Sequence, residues 1–256
     1  MAAYEFNAPR LFVEASLQAG GRIPLDRAQA NYLLNVLRLK TGARILVFNG
    51  RDGEWVVEVE VEGRKSADLV AREPVRQQTP TPDLLYLFAP LKHARLDYMV
   101  QKAVEMGAGA LQPVFTRRTQ SQRVNLERMR ANVIEAAEQC GILSVPAILD
   151  EADLPAALRA LEADRLLVFC DEDAPLANPV EALKAAAAEL TAELGNNGPK
   201  LAVIVGPEGG FTDEERALVA GHSPGCRVSL GPRILRADTA AVAALAVVQS
   251  ALGDWC

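Results

Sequence analysis

The sequence predicts an α/β fold: a parallel sheet covered on both faces by helices, preceded by a smaller domain of mostly strand character. Three observations predict it. From about residue 83 onward, short apolar runs such as LLYLF, RLLVFC and LAVIV alternate with helical patterns, as strands buried on both faces do. Earlier, EWVVEVEV alternates apolar with polar residues, the two-residue period of a half-buried strand. Between the two regions QQTPTP, residues 77–82, interrupts both periods, because neighbouring prolines disfavour helix and central strand alike. The expected division is a first domain over 1–75, a linker over 76–82 and a second domain over 83–256.

In the first domain, Asp26 is placed to cap a helix through RAQANYLLNVLRL, with Leu33, Leu34, Val36 and Leu37 on its apolar side. RILVFNG reads as a strand ending in the turn NGRDG. In EWVVEVEV, Trp55, Val57, Val59 and Val61 share one face, and Val56, Glu58 and Glu60 the other. ADLVAREPV adds another strand. In the second domain LLYLFAP is a strand, followed by a helix from about Ala94 to Met106. ALQPVFT, RLLVFC, LAVIV and CRVSL are further strands, and LERMRANVIEAAEQC is a helix. The last helix, about Leu235 to Leu252, is apolar over much of its surface and is expected to be largely buried. In such a sheet, ligands bind at the C-terminal ends of the strands.

The 256 residues are ample for two modest domains. The opening MAAYEFNAPR has no basic stretch followed by an apolar run, so no secretory signal is expected. The apolar stretch Ala240–Val248 is too short to span a bilayer. Cys140, Cys170, Cys226 and Cys256 never form a CxxC pair, and His93 and His222 complete no zinc arrangement. A soluble, cytoplasmic protein with no metal and no membrane partner is expected. The net charge of −6 hides an asymmetry: residues 1–140 carry 19 Lys and Arg against 16 Asp and Glu, residues 141–199 carry 3 against 11, and residues 200–256 carry 5 against 6. The mildly basic first half fits an RNA partner or an ordinary solvated surface.

Four segments carry candidate chemistry. VIVGPEGG, Val203 to Gly210, ends a strand in a glycine-rich turn, and Thr212 with Glu215 has capping-box spacing. It is either a tight turn alone or a place where a ligand approaches backbone. A phosphate loop is disfavoured, since no GKS or GKT follows and Glu208 would repel phosphate. Adenosine and a sulfonium suit it better. SLGPRILRADTA breaks at Gly231 and Pro232 and carries Arg233 and Arg236, which are either ligands for RNA or structural partners of Asp238. Arg117, Arg118 and Arg123 in TRRTQSQR either hold RNA phosphates or decorate a solvated loop. Lys102 and Glu105 in KAVEMG have surface ion-pair spacing, and Glu138 and Gln139 lie near a helix end.

PRLFV, NYLLNVLRL, KAVEMG, EAAEQCG followed by VP, VIVGPEGGFTDEE and SLGPRILRADTA are spread along nearly the whole chain. On these segments the chain resembles the bacterial 16S ribosomal RNA (uracil(1498)-N(3))-methyltransferase family of the SPOUT superfamily. GPEGG recurs in related methyltransferases; its combination with SLGPRILR and the N-terminal segments singles out this family. The resemblance implies a small PUA-like β-barrel domain that helps seat RNA. The catalytic α/β domain would have a deep trefoil knot, an exception to the usual unknotted connection. It also implies a homodimer, S-adenosyl-L-methionine as cofactor, and 16S rRNA within the small ribosomal subunit as partner, methylated on uracil N3.

By resemblance, the cofactor lies against Val205, Gly206, Pro207, Glu208, Gly209 and Gly210, and against Leu230, Gly231, Ile234 and Leu235, with help from the loop after RLLVFC. Arg236 is nominated to stabilise negative charge on the base, and Glu208 either to take the N3 proton or to hold the cofactor loop. Arg10, Arg38, Arg117, Arg118 and Arg123 are nominated as RNA contacts. Asp238 stands where the family usually has glutamate, and Ile142 where it commonly has arginine. Ribose 2′-O-methylation and a non-enzymatic RNA-binding protein are the alternatives. The N-terminal segments count against the first, and the second leaves both cofactor-type loops without a task.

Overall fold

A computed structural model describes residues 8–61, 63, 66–194 and 200–255. Residues 1–7 of the opening segment and Cys256 lie outside the described residues. The chain forms two compact units, Met1–Thr81 with Ala137–Val145, and Pro82–Ala136 with Pro146–Cys256.

In the first unit five strands form one sheet: β1 (Arg10–Phe12), β2 (Arg22–Pro24), β3 (Arg44–Phe48), β4 (Glu54–Val61) and β5 (Ala67–Arg76), in the order β1-β3-β4-β5-β2. β1 runs parallel to β3 and the other pairings are antiparallel. Leu11, Ile23, Ile45, Val57, Val59 and Leu69 come from all five strands yet share one apolar cluster. The sheet therefore curls so that its two ends meet the same core, as a PUA-like domain requires. Among the described residues β1 and β2 do not pair, so strand pairing does not close the expected barrel. Val57 and Val59 point inward as the alternation predicts, whereas Val61 is exposed at the strand end. Register shifts at Glu54/Trp55 and Val56/Val57 turn the start of β4 off the simple alternation.

Helix α1 (Arg27–Asn31) opens as expected on Asp26, whose side chain accepts the Gln29 amide at 2.7 Å while Gln29 reaches back to the Asp26 amide at 3.1 Å. It then widens into a π-helical turn over Tyr32–Val36, a change of winding to which the apolar pattern is blind.

The second unit contains β6 (Leu84–Phe88), α2 (His93–Glu105), β7 (Ala110–Phe115), α3 (Leu126–Cys140), β8 (Ala147–Ile148), β9 (Ala152–Asp153), α4 (Leu154–Arg159), β10 (Arg165–Cys170), α5 (Pro179–Leu194), β11 (Lys200–Val205), α6 (Asp213–Ala220), β12 (Gly225–Val228) and α7 (Ala237–Leu252). The last turn of α3 counts with the first unit. The sheet order is β12-β10-β11-β6-β7-β8, with β9 also on β7, and every pairing is parallel. β10 and β11 are the continuous apolar runs that a sheet covered on both faces demands; Leu166, Leu167, Val168, Ala202, Val203 and Ile204 are essentially inaccessible. Helix α7 begins two residues later than expected, after Arg236, and packs on α2 and α5.

The KAVEMG segment ends α2 for a local reason. Gly107 has φ of +79°, and a Cβ there would collide with the amide nitrogen of Gln249. Gln249, buried in α7, donates to the Met106 carbonyl at 2.8 Å and so ties the last helix to the end of α2. No helix among the described residues is long and apolar enough to cross a membrane.

Candidate active site

β11 stays buried through Val205 and then turns. A Cβ on Gly206 would stand 2.6 Å from the Phe211 ring, so only glycine fits there. Gly210 donates to the Pro207 carbonyl at 2.9 Å and takes φ of +68°, closing a tight turn that returns the chain towards α6. Phe211, buried, meets Phe169 of β10 edge-on at 5.5 Å between ring centroids. Thr212 caps α6: its hydroxyl accepts the Glu215 amide at 3.3 Å, and Glu215 accepts the Thr212 amide at 3.0 Å. This is the expected capping box.

The turn after β12 is built similarly. Gly231 has φ of +101°, and its amide donates to the Ser229 hydroxyl at 3.3 Å. The two turns face one cleft. Val205, Gly206, Pro207, Glu208 and Gly210 line it from the first, and Leu230, Gly231, Ile234 and Leu235 from the second. Of the nominated cofactor residues only Gly209 is not part of the wall. The cleft is open to solvent, and with its mouth it spans about 710 Å³. Its third wall is the end of β10, Cys170 to Glu172, the loop expected after RLLVFC. Burial pushes the Cys170 thiol up to about 12.

Charge around the cleft is arranged in two clusters. Asp171 is buried and bound by Arg216 and Arg227, and Arg216 also reaches Asp173 at 3.0 Å. In the other, Arg95 binds Glu208 through Nη1 and Asp238 through Nε, the latter at 2.9 Å. The hydrogen bond from Arg95 is the main reason the Asp238 carboxyl is held below its ordinary value. Neither Arg95 nor Asp171 was singled out by sequence reasoning. Arg95 sits near the start of α2, 113 residues from Glu208 and 143 from Asp238, so no local pattern could reveal it. Carboxylates, exposed backbone and the apolar Phe211, Ile234 and Leu235 fit an adenosine joined to a sulfonium. A pyrophosphate would meet Glu208 and Glu172 instead.

The nominated RNA contacts divide. Arg38 is exposed and takes φ of +55°, an uncommon backbone state for a non-glycine residue. Arg117 and Arg118 are exposed side chains on a tethered loop: the Arg117 amide donates to Glu215 at 2.7 Å, and Arg118 donates to the Gly209 carbonyl at 2.7 Å. Arg123 is exposed, and its carbonyl accepts the Ser121 hydroxyl at 2.9 Å. Arg10 requires a correction. Its side chain is 5% exposed, lies 2.6 Å from the fully buried Glu54, and donates to the Glu138 carbonyl at 2.9 Å. The guanidinium is thus enclosed by Glu54 and the Glu138 carbonyl and offers little surface to an RNA backbone.

Arg236 is exposed and caps α7 without a side-chain hydrogen bond; Asp238 is 3.9 Å away. Arg233 is also exposed. Lys102 and Glu105 form the plain ion pair their spacing predicts, at 2.7 Å. Glu138 accepts the Phe12 amide at 2.8 Å. Ile142 packs against Phe48, Ala137 and Leu143, so an apolar contact occupies the position where the resemblance leads one to expect arginine. No group of three or more His, Cys, Asp or Glu among the described residues could hold a metal ion.

The RNA methyltransferase domain family matches residues 77–249, and the RNA methyltransferase PUA domain family matches residues 25–71. The ribosomal RNA small subunit methyltransferase E of Rickettsia conorii is 30% identical over 248 residues, covering 96% of this chain and 97% of that protein. This chain belongs to the ribosomal RNA small subunit methyltransferase E family. A family member from Neisseria gonorrhoeae, solved bound to S-adenosyl methionine, superposes with a TM-score of 0.81 at 26% identity, over 98% of this chain and 100% of that one. A Legionella pneumophila chain solved in complex with the same cofactor gives 0.78 at 26% identity, over 96% and 98%.

Proposed function

We propose that this methyltransferase E family member transfers a methyl group from S-adenosyl-L-methionine to N3 of the uracil at position 1498 of 16S rRNA in the small ribosomal subunit. The observation that carries the reading is the single cleft formed where the two glycine turns meet at the C-terminal end of the parallel sheet. The solved relatives that hold S-adenosyl methionine support the choice of cofactor.

When bound, the cofactor supplies the methyl carbon, which leaves sulfur as it bonds to N3, while the N3 proton departs. The chain's own part is to hold the donor bent between the two turns and to receive an unstacked base. Loss of the proton develops negative charge on the two uracil carbonyl oxygens. Arg236, exposed and only loosely drawn towards Asp238, is the cation assigned to that charge. Glu208 is engaged by Arg95, and Asp171 by Arg216 and Arg227. Glu208 therefore holds the cofactor turn. Arg38, Arg117, Arg118 and Arg123 seat the RNA backbone.

The proposal extends to organisation. Residues 1–75 form the RNA-seating domain, 76–82 the linker and 83–256 the catalytic domain, in a cytoplasmic homodimer. The trefoil knot of the catalytic domain belongs to the proposal through the family resemblance.

The test is mass-spectrometric mapping of methylation after mixing purified protein, isotopically labelled S-adenosyl-L-methionine and unmodified small ribosomal subunits. One methyl group on uracil N3 at that position is expected. A ribose-linked methyl group would overturn the assigned atom, and no transfer with cofactor bound would overturn the assigned substrate.

A further inference from the structure

Two carboxylates beside the cleft, one from each of its turn regions, meet the same guanidinium. Glu208 belongs to the turn after β11, and Asp238 to the first turn of α7, directly after the turn that follows β12. Arg95 reaches both, Nη1 to Glu208 and Nε to Asp238. It projects from the start of α2, the helix that follows β6, and β6 is the sheet neighbour of β11. Nη2 is buried with no hydrogen-bond partner among the described residues. The group is thus placed to serve two carboxylates at once rather than to satisfy all its own donors. Arg95 itself does not line the cleft, whereas Glu208, Ala237 and Ala240 do.

We infer that Arg95 is a positioning residue for the cofactor: its two-armed contact sets the spacing between the turns that receive S-adenosyl-L-methionine. The inference rests on the cofactor reading above. The geometry separates it from a purely electrostatic role. One cation between two carboxylates leaves a single negative charge in excess at the cleft wall. Removing the cation would leave two, which draws a sulfonium more strongly. A residue acting only through charge would therefore weaken binding by its presence. A residue that sets spacing strengthens binding, and does so for charged and neutral ligands alike.

The experiment measures calorimetric affinity for S-adenosyl-L-methionine, a sulfonium, and S-adenosylhomocysteine, a neutral thioether. The proteins are the wild type, Arg95→Gln, Arg95→Lys, Asp238→Asn and the Arg95→Gln/Asp238→Asn double variant, each checked for folding by thermal melting. Arg95→Gln is expected to weaken S-adenosylhomocysteine about tenfold and S-adenosyl-L-methionine by somewhat less, because the uncovered carboxylates draw the sulfonium. Arg95→Lys, which keeps the charge but not the fork, is expected to recover only part of the loss. The double variant is expected to bind no worse than Arg95→Gln, because both changes break one contact. Tighter sulfonium binding, unchanged affinities, or losses that multiply in the double variant would overturn the inference. If Arg95→Gln does not fold, Arg95→Lys and Asp238→Asn carry the test: Arg95→Lys, which keeps the charge, must weaken the two ligands equally, and Asp238→Asn must weaken the neutral ligand as well as the sulfonium. A folded wild type that binds neither ligand would instead overturn the cofactor reading itself.

Discussion

Glu215 accepts the backbone amide of Arg117 at 2.7 Å. The same carboxylate completes the capping box of α6 with Thr212, so one buried side chain both starts a helix and latches the arginine loop to the segment that follows the cofactor turn. Glu215→Ala is expected to cost about 1–2 kcal/mol of stability, the usual size of a lost cap with an added contact. It is also expected to open the bonds after Arg117 and Arg118 to limited trypsin digestion. Thr212→Ala should cost a similar amount without exposing those bonds. Equal trypsin resistance in the two variants would show that the latch does not hold the loop.

The first turn of the cleft depends on the missing side chain at Gly206. Its backbone is not in the left-handed region, and the requirement is close approach alone: a Cβ would meet the Phe211 ring at 2.6 Å, and that ring is packed against Phe169. Gly206→Ala must displace a buried aromatic pair, at a cost of about 1–3 kcal/mol typical of overpacking. Since the displaced ring lines the cleft, affinity for S-adenosyl-L-methionine should fall by about tenfold or more, on the order of 1.4 kcal/mol. Calorimetry on the folded variant checks this, and wild-type affinity would show that the ring yields freely.

Much of this was legible because parallel strands buried on both faces are apolar throughout, as RLLVFC and LAVIV are, and because glycines mark turns where backbone must come close. The pairings that complete the site were not legible. Arg95 finds its carboxylates 113 and 143 residues away, and an arginine in a helical stretch looks the same whether its partner is a carboxylate or water. The grouping of Ala137–Val145 with the first unit likewise has no local signal, since EAAEQC continues the helical pattern of its own segment without a break. Arg10 shows the opposite failure. A basic residue in a family segment reads as an RNA contact, and only burial reveals the acid it answers.

That burial predicts a specific loss. Arg10 stands 2.6 Å from Glu54, whose other oxygen is 3.5 Å from Arg76, and Glu54 is wholly inaccessible. Removing the arginine leaves a buried carboxylate poorly compensated, so Arg10→Ala is expected to destabilise the chain by about 3–5 kcal/mol. RNA affinity per folded molecule should change little. Denaturant unfolding combined with RNA binding at low temperature checks both statements; wild-type stability with weakened RNA binding would restore the RNA role.

At the N-terminal ends of the central strands, Arg165 lies 2.6 Å from Glu162 and 2.7 Å from Asp83. The hydrogen bond from Arg165 holds the Glu162 carboxyl down to about 2 from an ordinary 4.5. A depressed carboxylate adds stability that is fully present above its unfolded value and is lost as pH falls through its folded one. The contribution therefore fades between pH 4.5 and about 2. Glu162 is half exposed, so solvent and salt keep it small. Glu162→Gln should be slightly less stable than wild type at neutral pH and show a flatter acid limb in that window. Parallel pH profiles for the two proteins would show that the pair contributes nothing measurable.

Arg236 is the one nominated catalytic group whose side chain stays largely in solvent, 69% exposed, with its nearest carboxylate, Asp238, at 3.9 Å. A cation already locked in a short pair would have to give up that pair before meeting charge that appears only as N3 is methylated. Arg236 has little to give up, and the same looseness means that it contributes little to the resting cleft. Its removal should thus act on the transition state and not on the bound donor. Arg236→Ala is expected to keep S-adenosyl-L-methionine affinity within about twofold while single-turnover methyl transfer to small ribosomal subunits slows by about 10²–10³, the usual effect of deleting one charge-stabilising donor. Arg236→Lys should recover part of that rate, because an ammonium supplies the charge without the planar fork. A loss of cofactor affinity equal to the loss of rate would assign Arg236 to the cofactor cleft, and an unchanged rate would remove it from the reaction.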